Sequence, residues 1–139
     1  MELLKNFLNS MIDVKPIGII HSGLKNLQDC PLQENENAPE AIIEIFKEYA
    51  EAAEHIKAGD KIVLLTWLNK ANRSVLKTYP RNDKEALFKG VFSTRSPDRP
   101  NPIGLHLVEV NAVDSVKRQL VISSLEVLDG TPVIDIKSR

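Results

Sequence analysis

A proline-rich segment between two predicted strands holds the residues best suited to binding an anion. Residues 92–105 contain three prolines, two arginines and one glycine. Because proline fixes φ and lacks a backbone donor, this segment is rigid and cannot be an interior strand or helix. Arg95 and Arg99 therefore have little entropy left to lose, which suits recognition of a carboxylate or a phosphate. The same residues also fit a turn that is shaped by the prolines, in which the arginines cap strand carbonyls.

Charge is unevenly distributed along the chain. Its 18 Lys and Arg residues and 19 Asp and Glu residues give a net charge of −1, which argues against a general electrostatic affinity for nucleic acid. Residues 61–99, however, carry nine basic and three acidic side chains, whereas residues 1–60 are acidic overall. The basic stretch indicates either a face for a polyanion or an ordinary solvated surface.

Composition indicates one soluble globular domain, residues 1–139, since 42% of the residues are hydrophobic and 27% are charged. The longest apolar run, residues 62–68, is far shorter than the roughly 20 residues of a transmembrane helix, so we expect no membrane contact. The chain begins without a secretory signal pattern. A single cysteine excludes an internal disulfide and a thiolate-rich zinc site. We therefore expect a cytoplasmic protein without a metal.

Short apolar segments with frequent breaks predict a mainly β fold, either a small barrel or a sheet with an inserted helix. The loop predicted at residues 24–39 is long enough to form a wall of a site. Apolar spacing over residues 38–56 favours an amphipathic helix, although residues 42–46 are equally rich in β-formers. The predicted strands are residues 14–22, 61–68, 74–78, 90–93, 105–112, 120–124 and 131–136.

Three sequence blocks occur in a fixed order. They cover residues 16–33, 90–105 and 128–137. Together they resemble the TrmO family, also called TsaA-like or VirR-like proteins, over residues 14–137, and residues 1–13 form an extra N-terminal segment. The resemblance implies a small antiparallel β-barrel with a short inserted helix.

The resemblance also resolves the ambiguous segment after the loop. It implies that residues 42–46 are extended and that only residues 48–56 are helical, against the propensity pattern. We adopt this division as our prediction.

The family resemblance further implies a function. TrmO family members dimerise, bind S-adenosylmethionine and methylate the exocyclic amine of threonylcarbamoyladenosine beside the tRNA anticodon. The implied partners are therefore threonylcarbamoylated tRNA and a second copy of the chain. The implied cofactor contacts are Pro31, Leu32, Gln33, Leu68, Asn69, Arg95, Leu105, Leu128, Asp129, Gly130 and Thr131. If tRNA is the substrate, basic residues from the middle of the chain would form the face for its anticodon stem, with Trp67, Tyr79 and Phe92 nearby for stacking. These basic residues are Arg73, Lys77, Arg81, Lys89 and Arg99.

Methyl transfer from a sulfonium is an in-line displacement, so the site has to position the acceptor nitrogen and take up one proton. Asp129, Asp135 and His21 are candidate proton acceptors, and the sequence does not rank them. Leu68 and Asn69 stand where bacterial family members often have Phe-His, and the Pro-Tyr-containing tail of those members is not found after residue 137. Because of these departures, two alternative functions remain: an enzyme with the same cofactor and a different, smaller acceptor, and a non-catalytic ligand-binding or RNA-binding barrel.

Overall fold

Six antiparallel strands close into a barrel. The computed structural model describes residues 1–23, 40–80, 85, 87–123 and 125–139. Within these residues, the barrel strands are β1 (Gly18–His21), β2 (Ala41–Ile45), β3 (Lys61–Trp67), β6 (Ile103–Asp114), β7 (Gln119–Ile122) and β8 (Pro132–Ser138). A separate two-stranded sheet consists of β4 (Lys77–Thr78) and β5 (Lys89–Gly90). The predicted mainly β fold, a small antiparallel barrel with a short helix, is confirmed.

Strand direction determines which connections lie together. The barrel order is β1-β2-β7-β6-β3-β8, and every neighbouring pair is antiparallel. Consequently β1, β3 and β7 run toward one end of the barrel, and β2, β6 and β8 run away from it. The β1–β2, β3–β6 and β7–β8 connections all leave and rejoin the barrel at this end, which we call the loop end. The β2–β3 and β6–β7 connections lie at the opposite end.

The barrel interior is filled by side chains that alternate along the strands. On β6 residues 104, 106, 108 and 110 are buried, and the residues between them are exposed, as the period of two in a strand requires. Burial of one such aliphatic side chain contributes about 1.5–3 kcal/mol, so this core is the main source of stability. The fully buried aliphatic side chains of this core are Ile20, Ile43, Leu64, Val110, Ile122, Leu125 and Val133.

The segment after the loop is divided as the resemblance implies. Residues 42–46 are extended, mostly within β2, and a 3₁₀ helix at Lys47–Ala53 stands where a helix is predicted at residues 48–56. Phe46 stays extended because its N–H donates to the carbonyl of Ile17 at 2.9 Å, so the helix begins only after it. The helix ends before His55, whose φ is +74°.

Two predicted strands are largely absent from the described residues. The strand predicted at residues 74–78 is reduced to β4, and the one predicted at residues 90–93 retains only its first residue, in β5. Val91–Ser93 instead forms a 3₁₀ helix. The carbonyl of Val91 accepts hydrogen bonds from the N–H and hydroxyl of Thr94 at 3.0 and 2.9 Å, which closes a turn and ends the strand.

An N-terminal helix, α1 (Glu2–Met11), lies in the segment for which the sequence analysis gives no structure. Its apolar residues at positions 3, 4, 7, 8 and 11 share one face, and every residue of the helix is exposed. Over the described ranges, no helix combines the length and the hydropathy needed to cross a membrane.

Candidate functional site

The residues with predicted cofactor contacts converge on the loop end. Leu68 and Asn69 follow β3, Leu105 lies near the start of β6, and residues 128–131 lead into β8. Arg95 lies in the β3–β6 connection. The remaining predicted contacts Pro31, Leu32 and Gln33, as well as Arg81 of the tRNA set, lie outside the described residues.

A tight turn at residues 128–131 is fixed against β1. The N–H of Gly130 donates to the carbonyl of Ile20 at 2.8 Å, and the N–H of Ile20 donates to the carbonyl of Thr131 at 2.9 Å. The hydroxyl of Thr131 donates to the carbonyl of Leu128 at 2.7 Å. Gly130 has a φ of +86°, and a Cβ there would meet no atom within 4 Å. The turn therefore favours glycine and leaves open space next to its backbone.

A second group surrounds the end of β3. The N–H of Leu68 donates to the carbonyl of Pro102 at 2.8 Å, and Nη2 of Arg95 donates to the carbonyl of Leu105 at 3.0 Å. The Leu68 side chain packs against the core, Leu105 is half-exposed, and Asn69 is exposed. An aliphatic, an amide and a guanidinium side chain are thus all positioned by the loop-end termini of β3 and β6.

The pairing of β3 with β8 connects these two groups. Thr66 pairs with Val133, and the strands are antiparallel. When this register is continued by two residues, Leu68 lies opposite Thr131. The described predicted contacts therefore lie along the loop-end termini of the neighbouring strands β6, β3, β8 and β1, and we call this group of residues the site band.

Arg99 organises residues 91–99, which we call the clamped loop. Its Nη2 donates to the carbonyls of Val91 and Thr94 at 2.7 and 2.6 Å, and its Nε donates to the carbonyl of Ser96 at 2.7 Å. These bonds satisfy carbonyls of a segment that forms no strand ladder. Of the two roles that the sequence leaves open for Arg99, the geometry gives it the carbonyl-capping one, while Arg95 stays exposed on the same loop.

The other described basic residues of the tRNA set have different surroundings. The guanidinium of Arg73 lies 5.1 Å from the ring centre of Trp67 and donates to the carbonyl of Pro100 at 2.6 Å. The ammonium of Lys77 lies 5.2 Å from the ring centre of Phe88. All of these cations belong to the β3–β6 connection, where the described basic side chains of the set are Arg73, Lys77, Lys89 and Arg99.

Two of the three candidate proton acceptors border one cavity. A cavity of about 550 Å³ is lined by His21, Ser22, Asp129 and residues 40–42, among others. Oδ1 of Asp129 accepts the N–H of Ser22 at 2.9 Å. Nε2 of His21 lies 2.8 Å from Oε1 of Glu44. Since a carboxylate only accepts, the neutral imidazole carries its proton on Nε2 and has Nδ1 as an acceptor.

The third candidate, Asp135, lies on the outer wall of the barrel. It pairs with Leu65 of β3, which in turn pairs with Leu105 of β6. The Asp135 carboxylate also lies 3.1 Å from the ammonium of Lys137, so it has a cation beside it and does not line the cavity.

A buried polar pair inside the barrel is a feature that the sequence analysis misses. Oγ1 of Thr66 and Nε2 of His106 are 2.9 Å apart, and both residues are almost completely buried. Gly104 leaves room for the pair, because a Cβ at 104 would lie 2.7 Å from Nε2 of His106 and closer still to Oγ1 of Thr66. The alternation along β6, which turns every second residue inward, is the signal that identifies His106 as an interior residue.

Comparison with known proteins adds a family assignment to this geometry. The sequence model of the tRNA-methyltransferase O N-terminal domain matches residues 19–138. The chain is 43% identical over 124 residues to an S-adenosyl-L-methionine-binding protein of Archaeoglobus fulgidus, covering 89% of this chain and 86% of the relative. It is 41% identical over 126 residues to a probable S-adenosyl-L-methionine-binding protein of Methanothermobacter thermautotrophicus, covering 91% and 88%.

A solved structure has the same fold. The crystal structure of TrmO from Pseudomonas aeruginosa matches with a TM-score of 0.70 and 31% sequence identity, over 93% of this chain and 55% of that one. The chain therefore spans about half the length of the solved TrmO chain.

Proposed function

Since the chain belongs to the tRNA-methyltransferase O N-terminal domain family, we propose that it binds S-adenosylmethionine and methylates the exocyclic amine of threonylcarbamoyladenosine beside the anticodon of tRNA. The site band carries this proposal, because it brings apolar, amide and charged groups of the kinds that the cofactor requires to the loop-end termini of neighbouring strands. Relatives that are 41% and 43% identical and are named as S-adenosylmethionine-binding proteins support it. A cytoplasmic homodimer is part of the proposal.

The chemistry of the site band fits the cofactor. Leu68 and Leu105 offer apolar surface for the adenine ring, and the amide of Asn69 can donate to and accept from its edge. Among the described residues, the guanidinium of Arg95 makes one hydrogen bond, so it retains donors for the carboxylate of the amino-acid end. The open space at Gly130 lets a ligand approach the backbone.

When bound, S-adenosylmethionine supplies an electrophilic methyl group on its sulfonium. The chain has to hold the acceptor nitrogen in line with that methyl group and to accept one proton. His21 offers Nδ1 for this proton because Glu44 orients its ring, and the carboxylate of Asp129 borders the same cavity. We therefore assign the proton to one of these two groups rather than to Asp135, which lies beside Lys137.

Calorimetric titration with S-adenosylmethionine tests the cofactor first, because it requires no assumption about the acceptor. We expect a micromolar Kd, equivalent to about 8 kcal/mol. Incubation with methyl-labelled cofactor and threonylcarbamoylated tRNA then tests the transfer, and we expect the label in the RNA. The absence of a binding heat would contradict the proposal and leave a non-catalytic barrel.

A second candidate is an S-adenosylmethionine-dependent enzyme with a smaller acceptor. It is favoured by Leu68 and Asn69 of the site band, which stand where bacterial family members often have Phe-His. Cofactor binding without label in the tRNA is the result that would support this candidate.

Arg95→Ala is expected to weaken S-adenosylmethionine binding roughly ten- to hundredfold, because hydrogen bonds to a charged group contribute about 1.5–3 kcal/mol. The melting temperature should stay close to that of the unmodified protein, since the side chain is exposed and makes one described hydrogen bond. Lys117→Ala, in the β6–β7 turn at the opposite end, is the matched control and should bind normally. An unchanged affinity of the Arg95 variant would refute the role that we assign to it.

Binding to tRNA is expected to weaken steeply with salt, and Lys77→Glu should weaken it roughly tenfold further and reduce the salt slope. Lys77 is exposed on the sheet beside the clamped loop. Lys117→Glu makes the same change of charge at the opposite end of the barrel and should have little effect. Filter binding over a salt series measures both quantities, and equal effects of the two variants would rule out a localised RNA face.

A further inference from the structure

The aromatic side chains at the end of β3 and in the β3–β6 connection differ in how far other groups cover their rings. The ring of Trp67 is stacked against the guanidinium of Arg73 at 5.1 Å. The rings of Tyr79 and Phe88 pack on each other with their centroids 4.8 Å apart. Phe92 differs from these, because 83% of its surface is exposed. It is the aromatic side chain in this described region that is most available to a ligand.

The backbone at Phe92 is held rigidly. The preceding residue, Val91, is buried, and its N–H donates to the carbonyl of Leu76 at 2.9 Å. The carbonyl of Val91 accepts from Arg99 at 2.7 Å and from the hydroxyl of Thr94 at 2.9 Å. Because the backbone is fixed, only the two side-chain torsions of Phe92 remain to be ordered when its exposed ring contacts a ligand.

Basic residues flank Phe92 along the chain and occur on the strand paired with β5. Lys89 precedes Phe92 by three residues, Arg95 follows it by three, and Lys77 lies on β4, the strand paired with β5. Surfaces that bind unpaired nucleic acid combine cations for the phosphates with aromatic faces for the bases. The charge complementarity therefore favours a polyanion with planar bases over an apolar protein partner.

We propose that Phe92 is the surface on which an unpaired base of the RNA substrate stacks as it enters the site. This inference rests on the proposed function, since it assumes an RNA acceptor. Stacking uses the face of the base and leaves its edge free, so the exocyclic amine remains accessible to the methyl group. Phe92 is thus a positioning residue that tolerates any base, and selection among bases belongs to other contacts.

The test compares two RNA probes: an anticodon stem-loop with unpaired loop bases, and a fully paired duplex of similar length. Phe92→Ala should weaken binding to the stem-loop roughly five- to hundredfold, as loss of one base–aromatic stack does, and leave duplex binding unchanged. Phe92→Tyr should restore stem-loop binding, whereas Phe92→Leu should not, because leucine is apolar but cannot stack. Val116→Ala is the control, since Val116 is 89% exposed in the distant β6–β7 turn.

The outcomes separate this inference from the function on which it rests. If the unmodified protein binds neither RNA probe, both the proposed RNA substrate and the stacking role of Phe92 are refuted. If the unmodified protein binds the stem-loop and Phe92→Ala binds it equally well, only the stacking role of Phe92 is refuted. An equal loss on both RNAs, or a loss of S-adenosylmethionine affinity or thermal stability in Phe92→Ala, would also overturn it, because each indicates a structural role.

Discussion

Replacing Gly104 with alanine is expected to lower the free energy of unfolding by about 2–5 kcal/mol, from overpacking and from a broken buried hydrogen bond together. The new Cβ would lie 2.7 Å from Nε2 of His106 and closer to Oγ1 of Thr66, nearer than real Cβ contacts. Both partners are enclosed by the barrel wall, so relief requires separating them. Against a typical total of about 5–15 kcal/mol, this loss is large.

Urea denaturation followed by circular dichroism measures this loss. Gly23→Ala is the matched control, because a Cβ at Gly23 meets no atom within 4 Å and its φ is not positive. We expect the Gly23 variant to unfold at the same urea concentration as the unmodified protein. The same midpoint for the Gly104 variant would mean that the barrel interior is looser than its packing indicates.

Arg99→Lys is expected to lower the free energy of unfolding by about 2–4 kcal/mol, and to weaken S-adenosylmethionine binding at least tenfold. An ammonium cannot reproduce the planar fork that bonds the carbonyls of Val91, Thr94 and Ser96. Without these bonds the clamped loop loses its fixed shape, and Arg95, which it carries, is no longer held beside the carbonyl of Leu105.

This lysine substitution also tests whether Arg99 acts by maintaining the shape of the clamped loop or only by its positive charge. If Arg99 contributed only its positive charge, lysine would retain both the stability and the cofactor affinity, because it retains that charge. If Arg99 instead maintains the loop, stability and cofactor affinity fall together although the charge is unchanged. Denaturation and calorimetry on the same variant decide between them, and wild-type values in both would refute the structural role.

Much of the barrel could be predicted from local pattern. The alternation along β6 and the apolar run of β3 identify strands whose position the structure confirms. Local pattern does not predict secondary structure where strand pairing determines it. Residues 42–46 are an example, because their isoleucines fit both a helical face and a strand. Pairing with β1 on one side and β7 on the other makes this segment β2. The family resemblance, rather than propensity, predicts this division correctly.

The site is less accessible to sequence reasoning. Its rigid, proline-rich loop can be predicted from composition, but the carbonyls that Arg99 satisfies depend on the closed shape of the clamped loop. The convergence of three connections at the loop end depends on strand directions, which no single segment encodes. Val91 shows the same limit, because its β-branched side chain favours a strand, whereas the hydroxyl of Thr94 closes a turn there.

Strand direction has one practical consequence. β1 begins and β8 finishes at the end of the barrel opposite the loop end. Sequence joined ahead of β1 or beyond β8 therefore approaches from the far side. An affinity handle attached at either position is separated from the site band by the length of the barrel, so the protein can be immobilised on a sensor surface with its loop end facing solution.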